Sequence, residues 1–173
     1  MSAERESAER IVTAAVLVIG NEILSGRTQD TNLNYIATGL NEVGVTLREA
    51  RVIPDVAETI IATVNELRAR FDYVFTTGGI GPTHDDITSE SVARAFGVPW
   101  TLHPEAHAIF LGHYKPDELN EARLRMAHTP EGASLIRNWA PCIRKKTKLI
   151  CWPSRRSKTL GCPFLQSASG PNL

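Results

Sequence analysis

Apolar positions along the chain fall into two rhythms. Thr13–Ile19 (TAAVLVI) is an unbroken apolar run, the pattern of a parallel strand covered on both faces. Leu33, Ile36, Ala37, Leu40 and Val43 then recur at helical spacing, with Asp30 where an N-cap belongs and Gly44 where a helix stops. Val45–Ile53 reads as a second strand of mixed polarity. Pro54-Asp55 opens a second helix whose apolar face is Ile60, Ile61, Val64 and Leu67; Asp55 is the expected N-cap, with Glu58 three residues on. Tyr73–Thr77 is a third β-type run, followed by the tight loop Gly78–Pro82 and a helix over Ser89–Phe96. Thr88 is the expected cap of that helix, Ile87 and Val92 hold the positions of a hydrophobic staple, Glu90 lies in the first turn and Gly97 ends it. Val98–Thr101 reads as a short edge segment, and His103–Tyr114 and Pro116–His128 as two more helices. Residues 1–10 are polar and read as a frayed leader.

This βαβαβα order predicts an α/β fold: a mostly parallel, right-handed wound sheet with helices on both faces, three layers in all. Ligands of such sheets bind at the carboxyl ends of the strands. Three segments leave those ends here: Asn21–Asp30, Pro54-Asp55 and Gly78–Asp86. They are pooled as one candidate site.

A chain of 173 residues suffices for one domain with its own core, placed at residues 11–138. The zero net charge hides an asymmetry: residues 1–138 hold 12 Lys+Arg against 19 Asp+Glu, and residues 139–173 hold 7 Lys+Arg and no acid. A basic tail can signal nucleic acid, but nothing in the body supports that partner and none is expected. Cys142, Cys151 and Cys162 all lie in the tail, with neither a CxxC pair nor zinc spacing. A cysteine-free body points to a reducing, cytoplasmic location. The apolar run Ile11–Gly20 is too short to span a bilayer, and its acid-containing leader is no targeting segment, so no membrane is expected.

The chemistry concentrates between Gly78 and Thr88. Gly78, Gly79 and Gly81, with Pro82, lead into a helix start where backbone N–H groups can face an anion. No Lys-Ser/Thr follows and the spacing is not GxGxxG; taken alone, these glycines would equally make a plain turn. Thr83 and Thr88 can donate to phosphate. Asp85 and Asp86 can hold Mg²⁺ or another divalent cation or handle a proton, with Asp86 favoured for the chemical role and Asp85 for metal or water. Being adjacent, one of them can equally serve the turn. Glu22 and Asp30 flank the first loop as a ligand contact or as solvated residues. His84 reads as a surface residue. His103 and His107 have the i, i+4 spacing of metal sites but no third ligand, and read as solvated.

Three stretches, IGNEILSGRTQDTN at Ile19–Asn32, VIPD at Val52–Asp55 and TTGGIGPTHDDITSE at Thr76–Glu90, resemble the MoaB/Mog molybdopterin-binding domain. More closely they resemble the amino-terminal domain of the CinA (competence/damage-inducible) family. The resemblance covers roughly Thr13 to Ile136. It implies a three-layer α/β domain, a homo-oligomer (trimer or dimer), and a molybdopterin or nucleotide-diphosphate ligand. Asn32 can bond a pterin edge or simply lie exposed on the first helical turn. In the Mog branch two aspartates serve adenylyl transfer or metal insertion during molybdenum cofactor synthesis; they match Asp55 and Asp86. The CinA-like branch implies divalent-metal-dependent hydrolysis of ADP-ribose or FAD-like pyrophosphates, and GPTHDD, with both Asp85 and Asp86, is closer to it. No CinA-type carboxyl-terminal deamidase domain is matched.

After about Asn138 the resemblance stops. The family would continue with a strand and a PGVP-type loop that helps close the pocket. This chain reads WAPCIRKKTKLICWPSRRSKTLGCPFLQSASGPNL. The stretch is taken as a shifted reading frame or a truncated copy, with a basic nucleic-acid tail as the alternative. On that reading the fold is incomplete at its C-terminus, one sheet edge is uncovered, and an inactive family member becomes a third functional reading.

Overall fold

The computed structural model describes residues 10–115, 119–135 and 150–153. Strands β1 (Val12–Ile19), β2 (Val45–Ile53) and β3 (Tyr73–Thr77) form a sheet of order β2-β1-β3-β6, in which β1 is parallel to both neighbours. Strand β6 (Ile150–Pro153) pairs antiparallel with β3, Trp152 opposite Val74. The mostly parallel α/β sheet is therefore as expected. The uncovered edge is not: a strand drawn from the basic tail pairs with β3. Cys151 lies on that strand, and Cys142 and Cys162 lie outside the described residues.

Helix α2 (Asn32–Glu42) covers one face of the sheet; α3 (Ala57–Arg70) and α4 (Thr88–Phe96) cover the other. Because side chains alternate along a strand, β1 feeds both cores. Ala14, Val16 and Val18 meet Ile36 and Leu40 of α2, while Ala15, Leu17 and Ile19 meet Ile60, Val64 and Leu67 of α3 and Val92 of α4. That is why its sequence is apolar at every position from Ala14 to Ile19. Asp72, just before β3, accepts hydrogen bonds from the backbone N–H and the hydroxyl of Thr13, both at 2.9 Å, and pairs with Arg10, which fixes the start of β1 against β3. On the outer side Arg51 of β2 bonds Glu66 of α3 (2.7 and 2.5 Å) and pairs with Glu49, and Arg70 adds a 2.9 Å contact to Glu49.

Several boundaries differ from the sequence reading. A single helical turn, α1 (Asn21–Leu24), replaces the expected loop after β1. One turn is too short to show a period, and it is held by Ile23 packing on the α2-side core. Asp55 does not cap α3, which starts at Ala57 with Val56 as N-cap and no side-chain cap bond; Asp55 sits too early and its carboxylate is used elsewhere. Thr88 is not a cap but the first residue of α4, behind Ile87, and Gly97 in a left-handed conformation ends the helix as expected. Val98–Thr101 becomes β4 (Trp100–Leu102), which pairs antiparallel with β5 (His128–Pro130) in a second, two-stranded sheet. Helix α5 (Pro104–His113) matches its expectation. The long helix expected over Pro116–His128 shrinks to α6 (Glu121–Arg125), because Asn120 caps it late by accepting from Arg123 N–H at 3.0 Å and the chain then turns into β5.

Candidate ligand-binding site

The chain moves from β1 outward to β2 and then back across to β3, so the topological switch lies between β1 and β3, where open α/β sheets bind ligands. At that rim the three connections touch. Gly20 N–H donates to Ile53 O at 3.0 Å, and Asn21 N–H donates to Asp55 Oδ2 at 2.8 Å, joining the exits of β1 and β2. Asn32 Nδ2 donates to Thr77 Oγ1 at 2.9 Å, joining the start of α2 to the end of β3. Gly78 has φ +93°, and a Cβ built there would stand 1.8 Å from Ile19 O. Only glycine lets β3 leave the sheet against the carbonyl that ends β1.

The glycine loop is anchored on α4. Thr88 is fully buried; its N–H donates to Gly79 O at 3.1 Å and its hydroxyl to Gly78 O at 3.0 Å. Gly79 also has positive φ, and a Cβ there would lie 2.4 Å from Thr88 Oγ1 and 3.2 Å from Asp55 Oδ1, which places the Asp55 carboxylate directly against the loop. Thr88 is thus a strut rather than a cap. Thr88→Val, nearly isosteric, is expected to lose about 1–2 kcal/mol by stripping Gly78 O of its partner, whereas Thr88→Ser keeps most of it. Urea unfolding of both would show it, and equal stability of the valine variant and the wild type would refute the strut.

Asp86 folds the remainder of the loop. Its Oδ2 accepts the Thr83 N–H at 2.9 Å and the Thr83 hydroxyl at 2.5 Å, and a Cβ on Gly81 would come within 2.6 Å of the same oxygen. Pro82 and Thr83 are exposed. Asp85 turns outward to His84 at 2.8 Å, both largely exposed, in keeping with a surface role for the histidine. Asp30 accepts the Leu33 N–H at 2.8 Å, but from one residue before the N-cap of α2, which is Thr31 and not Asp30 as expected.

The electrostatics tie the rim together. Burial pushes the Asp55 carboxyl above its ordinary range, the Asn21 N–H pulls it back, and the negative charges of Glu22 and Asp86 push it up again. Acids from three post-strand segments therefore act on one another. Among the described residues no three His, Cys, Asp or Glu side chains form a group able to hold a metal ion. His103 is not solvated: its Nδ1 accepts the Ala106 N–H at 3.4 Å and its Nε2 lies 3.2 Å from Ala133 O, so both ring nitrogens are engaged by backbone.

Two contributors escaped the sequence reading. Thr77, buried at the end of β3, receives Asn32, and a hydroxyl on the last residue of a strand before a glycine pair was a legible signal for it. The other is a main-chain donor, Asn21 N–H, which no residue type announces.

An α/β sheet with a glycine loop, a helix start and acidic side chains gathered at its switch point has the arrangement of a ligand-binding rim in the open α/β class. Comparison with known proteins makes the class specific. The family model described as "Probable molybdopterin binding domain" matches residues 15–158, and the chain belongs to that family. The match runs past Asn138 and takes in β6. A CinA-like protein of Citrifermentans bemidjiense is 44% identical over 126 residues, which are 72% of this chain and 30% of that one. A protein of Metallosphaera sedula is 38% identical over 133 residues, 75% of this chain and 50% of its own length. The chain thus spans half or less of these relatives. Among solved structures, the CinA protein of Thermoplasma acidophilum, itself of unknown function, is 33% identical with a TM-score of 0.71 over 82% of each chain. The tungsten cofactor synthesizing protein MoaB of Pyrococcus furiosus, 19% identical with a TM-score of 0.51 over 83% of this chain and 82% of its own, shares the fold. No helix among the described residues is long and apolar enough to cross a membrane.

Proposed function

We propose that the rim binds a phosphate-bearing pterin of the molybdopterin type, or a nucleotide diphosphate. The anionic part rests on the Gly78–Thr83 loop and the first turn of α4, and Asp55 stands beside it as the proton-handling group. The observation that carries this reading is the state of Asp55. Its carboxyl is pushed up by burial and by Glu22 and Asp86 while its Oδ1 faces the Gly79 backbone. A carboxyl drawn toward its neutral form can donate a hydrogen bond to a phosphate oxygen, where an ionised one would repel it. In this reading Glu22 keeps Asp55 high, Asp86 shapes the loop, and Asn32, through Thr77, sets the distance between α2 and the loop. Family membership supports the pterin; MoaB of Pyrococcus furiosus is described as synthesising a tungsten cofactor. The cation expected at Asp85 and Asp86 does not fit as a preformed site, since Asp86 is engaged by Thr83 and Asp85 by His84, and no step is assigned to it. The same reading keeps the protein in the cytoplasm, in line with a cysteine-free body in the sequence.

Titration calorimetry with a pterin phosphate and with ADP-ribose tests this. Affinity is expected to rise as pH falls toward the Asp55 pKa. Asp55→Asn, neutral at every pH and still a donor, should flatten that dependence, whereas Asp55→Ala should weaken binding about tenfold at its optimum, one charge-assisted hydrogen bond being lost. Because folding raises the Asp55 pKa, the ionised carboxylate is a burden on stability above that pKa and relieved below it. Asp55→Asn should therefore be no less stable than wild type at neutral pH. AMP release from ADP-ribose or FAD with Mg²⁺, Mn²⁺ or Co²⁺, lost in Asp86→Asn, would establish the pyrophosphatase reading instead. Failure of every ligand to bind a folded chain would overturn both.

A further inference from the structure

The first turn of α4 is tied to more than the glycine loop. Thr88 carries that loop, but Ser89 reaches the second sheet. Its hydroxyl donates to His128 O of β5 at 3.1 Å and accepts the indole N–H of Trp100 on β4, also at 3.1 Å. Glu90 follows, with Arg125 of α6 at 3.8 Å. The Trp100 ring is itself held: its centroid lies 4.7 Å from that of His128, a diagonal neighbour across the β4–β5 pair, and 5.6 Å from the Arg125 guanidinium. His128 Nδ1 lies 3.0 Å from Leu124 O, which ties the ring to α6. The same turn also holds the donors of the rim. The Thr88 N–H is already spent on Gly79 O, and among the described residues the N–H groups of Ser89 and Glu90 meet no acceptor. Those are the donors that a helix start leaves to an anion. Both belong to residues whose side chains are tied to β4, β5 and α6 rather than to the loop.

We propose that Trp100 is a positioning residue for ligand binding and acts through Ser89: the β4–β5 sheet fixes where the Ser89 and Glu90 N–H groups stand relative to the glycine loop. The assignment rests on the reading of the rim as a phosphate site. Val92 and Ala95 seat α4 on the main sheet, but apolar contact is non-directional and tolerates a small slide or turn of the helix. A hydroxyl with a donor on one side and an acceptor on the other removes that freedom, because hydrogen bonds weaken steeply with angle and distance. It does so at the end of the helix where the anion would rest. Arg125 adds to this by offsetting the Glu90 charge, which would otherwise oppose an anion at the neighbouring N–H groups. The second sheet thereby sets the precision of a site it does not touch.

Two variants of the full chain test the proposal. Trp100→Phe keeps a ring against His128 and removes the N–H; Ser89→Ala removes the hydroxyl itself. Amide hydrogen exchange without ligand reads the latch directly. The Thr88 N–H should exchange about fivefold faster in both, one hydrogen bond having left the turn, while amides of β1 such as Val16 keep their wild-type rates. A general loss of stability would speed both sets together. Calorimetry with a pterin phosphate and with ADP-ribose reads the consequence, and affinity should fall about fivefold in both variants. Leu102→Ala, two residues along β4 and partly exposed, is the control and should change neither quantity. Thr88 protection equal to wild type in both variants, or a β1 that loosens in step with it, overturns the latch. A wild type that binds, with affinity unchanged in both variants, overturns the positioning role and leaves the rim a binding site. A wild type that binds neither ligand overturns the rim itself, and this role with it.

Discussion

Gly78→Ala is expected to leave little folded protein. The added Cβ would stand 1.8 Å from Ile19 O, and the atom it meets is the backbone carbonyl that ends the inner strand β1, which cannot swing aside. The residue would also be held at φ +93°, which disfavours any L side chain by about 1–2 kcal/mol. Together with the forced separation of β1 and β3, the loss should exceed about 4 kcal/mol, a large part of the 5–15 kcal/mol typical of a domain. Gly97→Ala is the matched control: φ is +67°, but nothing lies within 4 Å of its Cβ, so only the backbone strain remains, about 1 kcal/mol. Circular dichroism melts of the two variants would separate a steric requirement from a conformational one. Equal losses would show that the closure of β3 on β1 is looser than the structure has it.

Asp72→Ala should be the most damaging change of a charged residue. It strips the Thr13 N–H and hydroxyl of their acceptor at the first rungs of β1 and leaves Arg10 without its carboxylate. A loss of about 2–4 kcal/mol is expected at neutral pH. Burial by itself would push the Asp72 carboxyl up, but the Thr13 N–H, the Thr13 hydroxyl and the Arg10 charge together hold it below its ordinary value. A depressed folded pKa means that the unfolded chain binds the proton first. The stabilisation is therefore complete above the unfolded value of 3.8 and is lost as pH falls through the folded one. The gap between wild type and Asp72→Asn in urea unfolding should close as pH drops below about 4. A gap that stays constant to lower pH would show that the carboxylate's charge contributes nothing.

The sequence settled those features that depend on local pattern. The unbroken run of β1, the helical spacing of α2 and α3, the short β3 and the glycine-terminated α4 each appear where their apolar period placed them, because burial on one face or two leaves its period in the chain. The same order of elements brought Asn21–Asp30, Pro54-Asp55 and Gly78–Asp86 to one rim, since a right-handed wound sheet admits no other placement of its post-strand loops. What the sequence could not assign was how each polar group at that rim is spent. Asp55 and Thr88 both occupied positions where a helix cap is chemically sensible, and cap and cross-connection use the same oxygen. Only the tertiary approach of Asn21 to Asp55, and of Gly78 to Thr88, decided between them. The tail posed the same problem in another form. Residues 150–153 carry no period that marks a strand, and they count as one because β3 presents them with an edge whose backbone groups need partners. Local periodicity thus determined the elements of this protein, while the long-range pairing of donors with acceptors, which leaves no local trace, decided what its site residues do.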